Sequence, residues 1–224
     1  MRKPTFSLLL GVLFVLGLPV QGAPPEPTTE EIVAGIEATY GEVQSFRADF
    51  VQVSRSTAMG ETGKQRGKMQ VKRPRKMRWD FQRPDAKLFV TDGTRMWVYS
   101  PDDKQAILYE NVETAGAGGM ESLLTGLDEL DEHFEVSQLE DADARRRNNI
   151  VLLLKPKTEG MNMKSLRIEF TRKKYNLQRL VMVDAFDNET ELSFSQVRLN
   201  APIDDSVFDF QPPAGVEVIK PEGL

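Results

Sequence analysis

The sequence predicts an α+β fold that is mainly β. It is one curled antiparallel sheet, an incomplete barrel of about ten or eleven strands, with an N-terminal helix and short lid helices over an apolar interior. Three observations predict it. From Phe46 to Asn200, short apolar stretches alternate side to side and are cut repeatedly by turn residues. A capped amphipathic helix precedes them, and a second helical stretch near Met120 interrupts them. A sheet so wide must twist, and if it curls round the helices without closing, it leaves a concave apolar face.

The chain starts with Arg2 and Lys3, followed by an apolar run from Phe6 to Val20 and small residues ending at Ala23. A cationic start, an apolar core and a small-residue exit make a cleaved signal peptide, and about fifteen apolar residues is short for a membrane span of about twenty. Residues 1–23 are expected to be removed, leaving residues 24–224 as one exported domain; in a bacterium with two membranes it would sit in the periplasm. Thr28-Thr29-Glu30-Glu31 is a capping box. Ile32, Ile36, Tyr40 and Val43 follow at helical spacing, giving an amphipathic helix of about fifteen residues.

Phe46, Ala48 and Phe50 then share one face of a strand, Ser54 to Lys64 reads as a hairpin loop, and Gly67 to Lys72 returns. Pro74 breaks the ladder because it has no N–H to donate. Met77, Trp79 and Phe81 alternate with Arg78, Asp80 and Gln82. Arg83-Pro84-Asp85 turns, Leu88 to Thr91 is a short strand, and Asp92-Gly93 is a tight hairpin signal. Arg95 to Ser100 and Gln105 to Tyr109 complete a meander.

Ala115 to Gly119 is a Gly/Ala stretch, and Met120, Leu123, Leu124 and Leu127 follow at helical spacing with an acidic tail from Asp128 to Glu132. Strands resume at Phe134–Leu139, Ile150–Lys155, Leu166–Thr171, Gln178–Phe186 and Thr190–Asn200. Val207 to Ile219 reads as a last edge segment limited by two prolines.

The chemistry available is narrow. The net charge of −5 argues against nucleic acid, which needs a cationic excess. There is no cysteine and one histidine, His133. This rules out disulfides, thiolate sites and an ordinary zinc site, so neither metal nor cofactor is expected. No Gly-x-Ser-x-Gly elbow or phosphate-loop spacing occurs, and no catalytic residue is assigned. The pattern suits holding an apolar ligand better than breaking a bond.

Phe46-x-Ala-x-Phe-x-Gln, Val71-Lys-Arg-Pro, Arg78-Trp, Thr91-Asp-Gly, Met96-Trp-Val-Tyr and Phe208-x-Phe-x-Pro-Pro-x-Gly-Val, in this order, resemble the periplasmic lipoprotein carrier family LolA. The resemblance runs over essentially the whole mature chain. It implies a monomer that takes acylated lipoproteins released by an inner-membrane ABC complex and hands them to an outer-membrane lipoprotein receptor. It implies an acyl-chain cavity, here assigned to Phe46, Phe50, Met69, Met77, Trp79, Phe81, Leu88, Met96, Leu123, Leu127, Leu192 and Phe194. It implies that Arg73 latches the sheet to the lid. Met77 stands where many members have phenylalanine, and the Ala142–Asn149 insert has no counterpart to draw on. The alternative is a periplasmic module of the same fold that binds or senses another lipid or lipidated ligand; a periplasmic hydrolase is a third reading, against which the lone His133 speaks.

Overall fold

The computed structural model describes residues 26–112, 126–140, 144, 148–158 and 163–221. The leader, Ala115–Gly119, Met120, Leu123, Leu124 and the three arginines of the insert lie outside them. Among the described residues no helix is long and apolar enough to cross a membrane.

The capping box forms as expected. Thr28 N–H donates to Glu31 Oε2 at 2.9 Å, and Glu31 N–H donates to Thr28 Oγ1 at 3.3 Å. These bonds satisfy donors that a helix start leaves open, and α1 runs from Thr29 to Gly41. Its buried face is Ile32, Val33, Ile36 and Tyr40.

Six strands follow: β1 Ser45–Ser56, β2 Gly60–Lys72, β3 Lys76–Arg83, β4 Lys87–Thr91, β5 Met96–Ser100 and β6 Gln105–Tyr109. A single helical turn, α2 (Leu130–His133), leads directly into β7 Phe134–Leu139. Then come β8 Asn149–Pro156, β9 Ser165–Thr171, β10 Leu177–Val183 and β11 Glu189–Leu199. A 3-10 turn at Asp205–Phe208 precedes β12, Glu217–Ile219.

The strands form one sheet in the order β12-β6-β5-β4-β3-β2-β1-β11-β10-β9-β8-β7. The end strands β12 and β7 are not neighbours, so the sheet is open. Laid flat, twelve strands at about 4.8 Å spacing would spread over roughly 50 Å. Yet side chains of α1, of β1–β3 and of β7–β11 join one buried cluster, which requires the sheet to curl round α1.

Three expectations are corrected. Ser54–Lys64 is mostly ladder, because β1 runs to Ser56 and β2 starts at Gly60; the turn is confined to residues 57–59. Both faces of this ribbon meet water, so its residues are mostly polar and the alternation that marks a half-buried strand is missing. Asp92-Gly93 opens a four-residue connection rather than a tight hairpin, with Asp92 Oδ1 accepting from Thr94 N (2.8 Å) and Arg95 N (2.9 Å). The C-terminal edge, β12, pairs parallel to β6, Glu217 against Gln105, and brings the strand count to twelve.

Candidate functional site: the concave face and its latch

Cross-strand register puts Phe46, Val71 and Met77 in one row across β1–β3, and Ala48, Met69 and Trp79 in the next. Phe50, Gly67 and Phe81 make the third row. Residues opposite one another share a face, so all three rows line the concavity. Rings fill it: Phe50 lies 5.6 Å from Trp79 and 5.0 Å from Phe81, and Phe46 lies 6.1 Å from Phe194. Edge-on contacts of this kind add to area burial.

Of the residues assigned to the apolar face, Phe46, Phe50, Met69, Met77, Trp79, Phe81, Leu127, Leu192 and Phe194 belong to this one cluster. Met96 shares the face through Thr91, its partner on β4 and that of Met77 on β3. Leu123 lies outside the described residues. Leu88 is a correction. It pairs with Asp80 and therefore points to the convex side, where it packs with Val90, Ile203 and Phe208. The interior position on β4 is Phe89, opposite Trp79 and 5.8 Å from Phe81. The run Leu88-Phe89-Val90 is apolar on both faces because the C-terminal segment covers its back; alternation cannot tell the two sides apart there.

The interior is packed by its own side chains. At the end near Arg73 a cleft of about 20 Å³ opens between Tyr40, Val43, Phe46 and Val71. That is room for about one water, against roughly 300–1,000 Å³ for ligand sites.

Polar ties link this end of the sheet to α1 and to the 126–133 segment. Arg73 sits in the turn between β2 and β3, with its N–H donating to Gln44 O at 2.9 Å. Its Nη2 donates to Asp128 Oδ2 at 3.0 Å and to Tyr40 O at 3.4 Å. Asp131 N–H donates to Glu37 Oε1 on α1 at 3.0 Å, and Lys157 Nζ donates to Asp131 O. Burial pushes the Glu37 carboxyl above its ordinary value, and the charge of Asp131 adds to the rise, against the hydrogen bond from Asp131 N–H. Tyr40 OH donates to Tyr175 O at 3.0 Å and accepts from Leu177 N–H at 3.1 Å, tying the end of α1 to β10; burial pushes its phenol upward.

Asp128, Glu37 and Tyr40 carry these ties, and the sequence marks none of them as a site residue; Tyr40 reads there only as part of the apolar helix face. Asp128 looks there like one more acid in a solvated tail; nothing local marks it as the partner of an arginine 55 positions away. His133 is exposed on α2, 3.6 Å from Glu129. Among the described residues, Trp79 Nε1, buried in the wall, finds no hydrogen-bond partner.

An open sheet curled round an apolar interior, with a helix lying in it and the 126–133 segment pinned at its mouth, defines a lidded half-barrel. The chain belongs to the family described as outer membrane lipoprotein carrier protein LolA, whose profile matches residues 41–211. This is a carrier family, not a catalytic one. An outer-membrane lipoprotein carrier protein of Chromobacterium violaceum is 29% identical over 218 residues, 97% of this chain and 98% of its own. Its counterpart from Methylobacillus flagellatus is 29% identical over 187 residues, 84% and 88% of the two chains. Among solved structures, an uncharacterized conserved protein from Thermus thermophilus superposes with a TM-score of 0.56 at 10% identity, covering 86% of this chain and 98% of its own. That likeness bears on the fold alone.

Proposed function

We propose that this protein is a periplasmic carrier. It takes acylated lipoproteins released by an inner-membrane ABC complex, shields their acyl chains against the concave face, and delivers them to an outer-membrane lipoprotein receptor. Residues 1–23 direct export and are cleaved. The observation that carries the reading is an apolar interior, in a member of a lipoprotein carrier family, with a few polar ties at one end.

The magnitudes favour such a device. Burying a methylene is worth about 0.8 kcal/mol, so a chain of about sixteen carbons carries on the order of 12 kcal/mol of aqueous cost. Unshielded diffusion is excluded by that figure, and a rigid pocket of matching fit would never release the cargo. A packed interior resolves this. When the 126–133 segment and α1 separate from the sheet, the acyl chains take the place of protein–protein contacts, and re-closure pushes them out. Met69, Met77 and Met96 suit a wall that repacks between the two states. Arg73 and Asp128 set how readily the interior opens.

The test is release. Purified protein incubated with spheroplasts should bring an outer-membrane lipoprotein into the soluble fraction; a soluble fraction free of acylated protein sinks the proposal. Mass spectrometry of co-purified cargo separates acylated protein from free lipid, the latter favouring a lipid-binding or sensing role for the same fold.

A further inference from the structure

The convex face holds a cleft unrelated to the acyl-chain interior. A bulge in the β1–β11 ladder creates it. Arg47 pairs with Arg198 and Asp49 with Ser195, so Ala48 stands opposite two residues, and Gln196 takes a left-handed conformation at φ 52°. The resulting depression measures about 460 Å³, and beside Ala48 and Met69 it is lined by Arg47, Lys68, Arg198, Gln70, Gln196 and Asp49.

Several other cations of the sheet have acidic partners. Arg55 pairs with Glu191, Arg78 with Asp80, Arg179 with Glu169, and Lys72 and Lys76 share Asp205. Arg47, Lys68 and Arg198 have no ion pair or side-chain hydrogen bond among the described residues, although the chain has five more acidic than basic groups. Arg47 Nε is moreover buried with no partner among the described residues. Arg47 and Arg198 face each other directly in the ladder, an arrangement of like charges that costs stability unless something lies between them. Two side-chain amides complete the rim, and Asp49 is the single carboxylate.

We infer that this cleft binds a phosphate group, free or as the headgroup of an anionic phospholipid. A guanidinium presents paired N–H donors that match phosphate oxygens, and a small oxyanion between Arg47 and Arg198 would relieve their repulsion and satisfy the buried Nε. The recess favours a compact anion over a flat acidic protein surface. The inference is independent of the cargo reading, since Arg47 points away from Phe46 and Ala48 on the concave side.

The experiment is an NMR titration of the full mature chain with inorganic phosphate, glycerol phosphate and chloride at fixed ionic strength. Saturable shifts at the amides of Arg47, Ala48, Gln196 and Arg198 with either phosphate, absent with chloride, are expected. Arg47→Gln and Arg198→Gln should each weaken binding about tenfold, while Arg95→Gln, which removes an equal charge outside the cleft, should not. Flotation with phosphatidylglycerol against phosphatidylcholine vesicles separates the sources: capture by the anionic vesicles, lost in Arg47→Gln, assigns the site to a headgroup, and its absence assigns it to free phosphate. Shifts that do not distinguish phosphate from chloride, or equal losses in all three variants, overturn the inference. A folded Arg47→Gln, shown by an unchanged melting curve, keeps the comparison valid; if it melts early, Lys68→Gln on the neighbouring strand takes its place, and an unchanged affinity there is equally fatal.

Discussion

Arg73 Nη2 donates to Asp128 Oδ2 at 3.0 Å, joining the β2–β3 turn to the segment that enters α2. The two side chains are 32% and 21% exposed, so solvent screens the pair and it contributes about 1 kcal/mol. Such a tie biases an equilibrium without freezing it: losing it shifts the closed-to-open ratio about fivefold. Arg73→Leu should accept cargo but transfer it poorly, because the open interior is no longer driven shut. Asp128→Asn should do the same in milder form, and the double variant should be no worse than Arg73→Leu alone. Normal transfer by Arg73→Leu removes the pair from the mechanism.

Glu37 makes the second tie respond to pH. Its carboxyl is raised from 4.5, chiefly by burial, with a further push from the charge of Asp131. A group with a raised folded-state pKa binds its proton more tightly in the folded protein, so stability from this site grows as pH falls toward 4.5 and is lost as pH rises through the raised value. Glu37→Gln keeps the acceptor for Asp131 N–H and removes the charge. Melting temperatures measured from neutral pH down to about 4.5 should therefore change less in Glu37→Gln than in the parent; identical slopes would show that Glu37 does not titrate in this window.

Asp205 works in the opposite window. Hydrogen bonds from Lys72 and Lys76 hold its carboxyl down to about 2, from 3.8. The stability it gives is present above 3.8 and disappears as pH falls through about 2. Because Asp205 starts the 3-10 turn that delivers Phe208 to the back of β4, the loss should be local first. Hydrogen exchange is expected to show residues 203–210 losing protection before the β8–β9 core on acidification, and Asp205→Asn should show that early exchange already at neutral pH. Simultaneous loss in both regions would contradict it.

Gly67 has a purely steric role. A Cβ there would lie 2.0 Å from Asp80 O and 2.9 Å from the Phe50 ring, at the bulge where β2 shifts register against β3. Backbone cannot move aside as a side-chain end can. Gly67→Ala should cost about 1–3 kcal/mol, the usual range for overpacking, and denaturant unfolding would read it as a lower midpoint at constant slope. An unchanged midpoint would mean the ladder yields freely at this point.

Much of this was legible from residue order, and the failures have two causes. Met77, Trp79 and Phe81 declare their face because charges separate them and the opposite side is wet. Thr28 and Glu31 declare the helix start because the box is local. Leu88 misleads because β4 is covered on both sides, and Ser54–Lys64 misleads because that ribbon is covered on neither. The role of Asp128 and the parallel pairing of β12 were unreadable for a different reason. Each finds its partner far along the chain, Arg73 and β6 respectively, and no short-range pattern encodes a contact that the curl of the sheet creates.

That curl also brings a site for a lock within reach. A Cβ built on Gly41, at the end of α1, would lie 3.9 Å from Asp128 Cβ. Disulfides span about 3.5–4.5 Å between Cβ atoms, and the chain has no cysteine to compete. Gly41→Cys with Asp128→Cys should therefore close spontaneously under oxidation and pin the 126–133 segment to a helix end already held to β10 by Tyr40. The oxidised protein should fail to take lipoprotein from spheroplasts, and reduction should restore uptake. The reduced double variant, lacking the Arg73 partner, should behave like Asp128→Asn, which separates the effect of the bond from that of the lost carboxylate. Full uptake by the oxidised form would mean that acyl chains enter without displacing this segment, and the packed interior would then have to open along the β7 or β12 edge of the sheet instead.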